Sequence, residues 1–201
     1  MNANIGMQHA VAALVDTYTP GDEITYGEIF TVSQARGANL SWERANGRFY
    51  GDDIELDNDN GILGYTIEFE TAGLKDDIRA ELLGETAGTG VYQITDDVGP
   101  DVGFGYVRIQ REDDEDGPNA TTYHGWWFHK LKFSLNNEET RTKERSVEWR
   151  VPTLTGDGSG VKLDNTGKLY FAEHYKFDTL AAAISFVDGH GTSSGSSGTT
   201  T

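Results

Sequence analysis

"ILGYTIEFE", Ile62–Glu70, sets apolar against polar residues along almost its whole length. Leu63, Tyr65, Ile67 and Phe69 fall on one face of an extended chain, and Thr66, Glu68 and Glu70 on the other. Period two over this length predicts a half-buried antiparallel strand with one dry face and one wet face. An acidic run precedes it: in "RFYGDDIELDNDNG" (48–61), Asp52, Asp53, Glu55, Asp57 and Asp59 stand within eight residues. A strand with a charged face and a charged run before it pose one question, what so much like charge is for.

The 201 residues suit one ordinary domain with a real core. With no cysteine there are no disulfides, thiolate metal sites or cysteine nucleophiles, and the composition fits folding in a reducing cytosol. The chain carries 33 acids against 16 bases, a net charge of −17, and shows no basic patch of the kind that holds nucleic acid. The start, "MNANIGMQHAVAALVDTYTPGDE" (1–23), lacks a positive segment, and "VAALV" is too short for a signal core or a membrane span. The charge is uneven: residues 51–100 hold 13 acids and 2 bases, whereas residues 101–150 hold 10 and 8. The negative field is therefore local, and its position matters.

Abundant glycine, scarce proline and short apolar segments predict a mainly β chain. "YGEIFTVS" (26–33) and "ANLSWER" (38–44) are early strand candidates, the second with Leu40 and Trp42 on one face. "LKDDIRAELLGE" (74–85) breaks the rhythm, with Leu74, Ile78 and Leu82 four apart, Asp76 and Asp77 in the first turn and Gly84 at the end, and predicts a short amphipathic helix. "VGFGYVRIQREDDEDGPNATTYHGWWFHKLKFSL" (102–135) predicts a long hairpin, its returning strand placing Tyr123, Trp127, His129, Leu131, Phe133 and Leu135 on one face. "RSVEWRVPTLTG" (145–156) repeats the scheme with Val147, Trp149 and Val151 inward. "FDTLAAAISFVDG" (177–189) suits a last short helix capped by Asp178, and the closing Ser/Gly/Thr stretch has linker composition.

Sites with chemistry are weak in the sequence. As a calcium loop, Asp57, Asp59 and Gly61 take alternating positions and Glu68 the twelfth. Gly61 brings no side-chain ligand, however, and Ile62 stands where the turn needs glycine. A carboxylate acid–base pair needs a pocket and a shifted pKa, which nothing in the pattern supplies. His9, His124, His129, His174 and His190 show no ligand spacing, and His124 and His129 point to opposite faces of a strand. "GDGSG" (156–160) lacks the Lys-Ser/Thr of a phosphate loop and reads as a turn. Trp126 and Phe128 share a face with His124, Lys130 and Lys132, which suits a subunit interface, a second packed layer or a sugar platform.

One ordered set of segments is more specific. "FYGDDIE" (49–55), "GYTIEFE" (64–70), "IRAELLGE" (78–85), the hairpin "VGFGYVRIQRE…YHGWWFHKLKFS" (102–134) and "TRTKERSVEWRVPTLTG" (140–156) follow one another. In that order they resemble the major tail protein family of long-tailed bacteriophages (siphophages), whose members form the tail tube. The resemblance spans roughly residues 36–156 and weakens before "ANLSWER" and after "KLDNTGK".

The resemblance implies a mainly β chain: a β-sandwich of the phage tail tube type with one short flanking α-helix, over residues 1–190, and a Ser/Gly/Thr-rich tail over 191–201. It implies a structural virion protein and no enzyme, six copies to a ring and rings stacked into a tube, with no cofactor. Its partners would be itself, the tape measure, tail terminator and distal tail proteins, and viral DNA passing without specific binding; no membrane is involved. Such a protein is made in the host cytoplasm and resides in the virion tail. The tube fold is also similar to secretion-needle tubes. On this reading Glu68 and Glu70 face the lumen. Asp52, Asp53, Glu55, Asp57, Asp59, Trp126 and Phe128 make contacts between subunits or rings, with Arg44, Arg48 or "KERSVEWR" (143–150) as bases opposite the acids. The alternative is a β-sandwich carbohydrate-binding or virion decoration module built on Trp126 and Phe128; an acidic hydrolase has the least support.

Overall fold

The computed structural model describes residues 2–45, 47–51, 54–96, 98–112, 120–135 and 152–191. A long first strand β1 (Asn2–Tyr18) is followed by β2 (Ile24–Tyr26), β3 (Phe30–Ser33) and β4 (Ala35–Arg44). A hairpin of β5 (Gly47–Gly51) and β6 (Ile54–Asp59) precedes β7 (Ile62–Thr71) and helix α1 (Asp76–Leu83). After a small hairpin, β8 (Thr86–Gly88) and β9 (Val91–Gln93), come the long strands β10 (Val102–Glu112) and β11 (Ala120–Leu135). The chain ends in β12 (Thr153–Ser159), β13 (Ala172–Phe177) and α2 (Leu180–Asp188).

The chain is mainly β, as the alternation predicts, and its main sheet is antiparallel in the order β2–β1–β10–β11–β12–β7–β4. It forks at β11: residues 123–128 pair with β13, and residues 131–135 pair with β12. The sheet curls so that β7 lies over β10 and β11, with Phe69 5.3 Å from Phe104 and Tyr65 5.1 Å from Phe128 between ring centroids. Tyr65, Ile67, Phe69, Phe104, Phe128, Leu131 and Leu154 are fully buried between these layers. That is a sandwich core, apolar on the two inner faces.

Two bulges explain where the sequence pattern misleads. Phe104 pairs with Phe128 and Val102 with Leu131, so three steps on β11 face two on β10. One extra residue inverts every later side chain. Leu131 and Phe133 therefore join the core that holds Phe128, while Trp127 lies on the opposite face in a second core. The expected single face from Tyr123 to Leu135 is thus two faces, and Lys130 and Lys132 part company with Trp126. The second bulge is in β1, where Gln8 pairs with Val107 and Val11 with Gly105. His9 adopts φ 54° there, the left-handed region that few non-glycine residues enter.

The second core sits beneath α2. The Trp127 indole lies across β10 with Tyr26 edge-on at 5.2 Å and Val187 and Ala183 of α2 beside it. A Cβ at Gly105 would stand 2.6 Å from both Trp127 and Val187, so glycine here is what lets the ring and helix approach. Thr179, not Asp178, caps α2, its Oγ1 accepting from the Ala182 N–H at 3.3 Å. The sandwich thus carries two short helices, α1 and α2, at the two segments where the sequence places them. α1 fits its prediction better: Asp76 and Asp77 occupy its first turn and Gly84 ends it in the left-handed conformation.

Three further expectations change. "YGEIFTVS" divides into the end of β2 and all of β3, and "GDGSG" contributes to strand β12 instead of forming a turn. A Cβ at Gly158 would lie 2.0 Å from the ring of Tyr65, its register partner on β7, so the glycines of β12 make room for aromatics of the neighbouring strands. Leu63 is 64% exposed: Glu43 pairs with Gly64 and Arg44 with Ile62, which leaves Leu63 unpaired in a bulge and outside the core. Val147, Trp149 and Val151 lie outside the described residues, as does the tail from residue 192.

Candidate functional surface

The side of β7 turned away from the core carries Thr66, Glu68 and Glu70, both glutamates exposed. Their neighbours follow from register. On β4, Ser41, Asn39 and Gly37 stand opposite Thr66, Glu68 and Glu70; on β12 the partners are Asp157, Thr155 and Thr153. Beyond β12, Lys132 pairs with Asp157 and Ser134 with Thr155. One step along, Glu43 faces Gly64 across β4 and β7. The pleat therefore collects Glu43, Glu68, Glu70 and Asp157 among serine, threonine and asparagine on one outer face.

Few of these charges are neutralised. Asn39 Nδ2 donates to Glu68 Oε2 at 3.4 Å and Thr66 Oγ1 donates to Asp157 Oδ1 at 3.0 Å, bonds that hold side chains without adding positive charge. The cation on this face, Lys132, leans to Asp101 at 3.3 Å and to the Gly99 carbonyl at 2.8 Å. No aromatic ring rises among these positions. The result is a low, polar, acidic surface across four strands.

The aromatic candidates divide. Phe128 is fully buried in the chain's own core, between Tyr65 and Tyr106, so it belongs to a packed layer and offers no surface to another subunit. Trp126 is half-buried: His174 stacks on it at 4.3 Å and the Arg108 guanidinium lies over its ring at 5.5 Å. His174 Nε2 meets His124 Nδ1 at 2.8 Å, and His124 Nε2 meets Thr122 Oγ1 at 3.2 Å. Burial lowers the pKa of both imidazoles, and for His124 the Arg108 charge adds to it. Lys176 holds Glu112 below the usual carboxylate range through bonds of 2.6 and 2.8 Å.

Glu55, Asp57 and Asp59 belong to β6, and Asp52 and Asp53 lie outside the described residues. Asp57 and Asp59 being in one strand and Glu68 in another, the segment does not form a calcium loop. Among the described residues no group of three or more His, Asp or Glu side chains is arranged to hold a metal. None of the described helices is long and apolar enough to cross a membrane.

No family model matches the chain, and no curated protein does. Glu43, Asn39 and Asp157 join Glu68 and Glu70 on the face, and sequence reasoning missed them. For β4 the signal was present, since Asn39, Ser41 and Glu43 alternate with Leu40 and Trp42 in "ANLSWER". For Asp157 it was masked by glycines on both sides, which carry no polarity pattern to read.

Proposed function

We propose that the chain is the major subunit of a phage tail tube, assembling into stacked six-membered rings, with the outer face of β4–β7–β12 turned to the lumen. The observation that carries this reading is that acidic face, which no described element covers. Its carboxylates repel one another and, among the described residues, form no ion pair, so the described fold draws no stability from their charge; a negatively charged cargo explains them. Duplex DNA carries about one negative charge per 1.7 Å of its axis. A basic wall would hold it, whereas an acidic wall keeps it sliding. Screening over about 8 Å at physiological salt makes the wall's own charge count more than the charge of the whole chain.

The sugar-platform reading draws little support from the geometry, since Phe128 is buried and Trp126 is already stacked by His174. For the tube reading, purified protein should form rings or tubes of constant width as concentration rises. Glu68→Lys with Glu70→Lys should still assemble, yet the tubes should retain duplex DNA and ejection should slow. A protein that stays monomeric in light scattering across a wide concentration range would refute the tube. Reversed tubes with unchanged ejection would refute the role of the wall.

A further inference from the structure

Between the first residues of β1 and strand β4 the sandwich holds a cleft of about 540 Å³ that continues the main core outward. On β10 the residues of the core face run Phe104, Tyr106, Arg108, from fully buried to half-buried. Register sets Tyr106 beside Trp126, and Arg108 between Met7 and His124. Hydrocarbon thus gives way to a hydroxyl and then to a cation along one strand. Strand β4 contributes Leu40, Trp42 and, near its start, Arg36.

The polar groups of this cleft are donors without an acceptor. No acid is among the described residues that line it, in a chain of net charge −17. No described carboxylate pairs with either arginine. Arg108 lies over the Trp126 ring at 5.5 Å, a contact that uses the face of the guanidinium and leaves its N–H edge to bond. Among the described residues that edge finds only Gln110 Oε1, at 3.5 Å. Arg108 Nε and Trp126 Nε1 are buried with no hydrogen-bond partner among the described residues. Tyr106 is 7% exposed, and its hydroxyl bonds to no described group. Burial pushes this phenol up to about 12, so it remains a neutral donor at ordinary pH. A buried donor left unpaired is costly, and an acceptor arriving from outside recovers that cost.

We propose that this cleft binds a small organic anion, a carboxylate carried on a flat apolar body. Arg108, Arg36 and the Tyr106 hydroxyl supply the donors for its oxygens, and Met7, Leu40 and Trp42 take its apolar part. The guanidinium fork matches two coplanar oxygens, and a flat body suits the Trp42 ring. The volume falls within the roughly 300–1,000 Å³ of small-molecule sites. The field of so acidic a chain repels a long polyanion, whereas a single carboxylate needs only the two local cations. The assignment does not rest on the tube reading.

A suitable probe is 2-naphthoate, with the neutral 2-naphthalenemethanol as its counterpart of like shape. In calorimetric titrations of the full chain, naphthoate should bind at least about tenfold more tightly than the alcohol, the difference a charge-assisted pair makes. Arg108→Gln should weaken naphthoate by about tenfold and Tyr106→Phe by about threefold, with no change in binding of the alcohol. Arg36, being exposed, can be changed to Gln without disturbing the core, and Arg36→Gln should weaken naphthoate by about threefold. The indole N–H resonance of Trp126 should shift as naphthoate is added and that of Trp127, in the second core, should not. Equal affinity for the two probes, no binding at millimolar naphthoate, or binding that neither arginine variant alters would overturn the proposal. Each of these outcomes leaves the tube reading untouched, and a chain that never assembles leaves the site untouched.

Discussion

The two outer faces of this sandwich use the same alternation and reach opposite ends. On the β10–β11 side, Gly103, Gly105 and Gly125 clear space, Trp127 fills it and α2 closes over it. On the β4–β7–β12 side the outward positions are mostly serine, threonine, asparagine and acids, and neither described helix covers them. What a face does is therefore set by the side chains that could receive a cover. Glycine and tryptophan invite a helix. Short hydroxyls and carboxylates keep the surface wet.

The sharpest way to break this comparison is to remove the anchor of the covered face. Trp127→Ala should cost about 3–5 kcal/mol, read as a lower urea midpoint, because the ring is fully buried under α2. A loss below about 1 kcal/mol would mean that α2 does not depend on it. Next is a pair of glycines. Gly158→Ala drives a methyl into the Tyr65 ring and should cost about 1–3 kcal/mol, whereas Gly37→Ala on the bare side meets nothing within 4 Å and should be neutral or slightly stabilising. Similar losses at both sites would contradict the packing described.

The covered face should also sense pH. His129 and His190 lie near Glu173, their Nε2 atoms 3.7 and 4.0 Å from its carboxylate, and burial lowers both pKa values to about 4. An unfolded histidine takes its proton near 6.5, so between there and about 4 the unfolded state binds more protons. The stability these groups hold in neutral form is complete above about 6.5 and is lost as pH falls through 4. Glu173, raised by burial, acts with the opposite sign and offsets part of this at the acid end. Thermal melts from pH 7 to 4 should fall, and His129→Gln should flatten the slope. The smallest effect belongs to the bare face: Glu68→Ala should change stability by no more than about 0.5 kcal/mol.

Much of the architecture was legible because alternation survives wherever one face is buried. β7, β4 and the β10–β11 hairpin follow from it, as do the outward Glu68 and Glu70, and α1 follows from the four-residue spacing of Leu74, Ile78 and Leu82. β1 was not, since "HAVAALV" buries side chains on both faces and shows no period of two. Bulges were equally hidden: nothing in "WWFHKLKF" marks the extra residue that moves Leu131 and Phe133 to the face of Phe128. The acidic surface was half legible. Neighbouring strands complete it, and strand order is a tertiary fact that no local pattern holds.

A cryo-electron-microscopy reconstruction of the concentrated protein tests most directly whether the bare acidic face lines a tube. The expected result is a ring-stacked tube with Glu43, Glu68, Glu70 and Asp157 on the inner wall and α2 away from it. A tube with α2 facing the lumen and those four acids on the outside would contradict it.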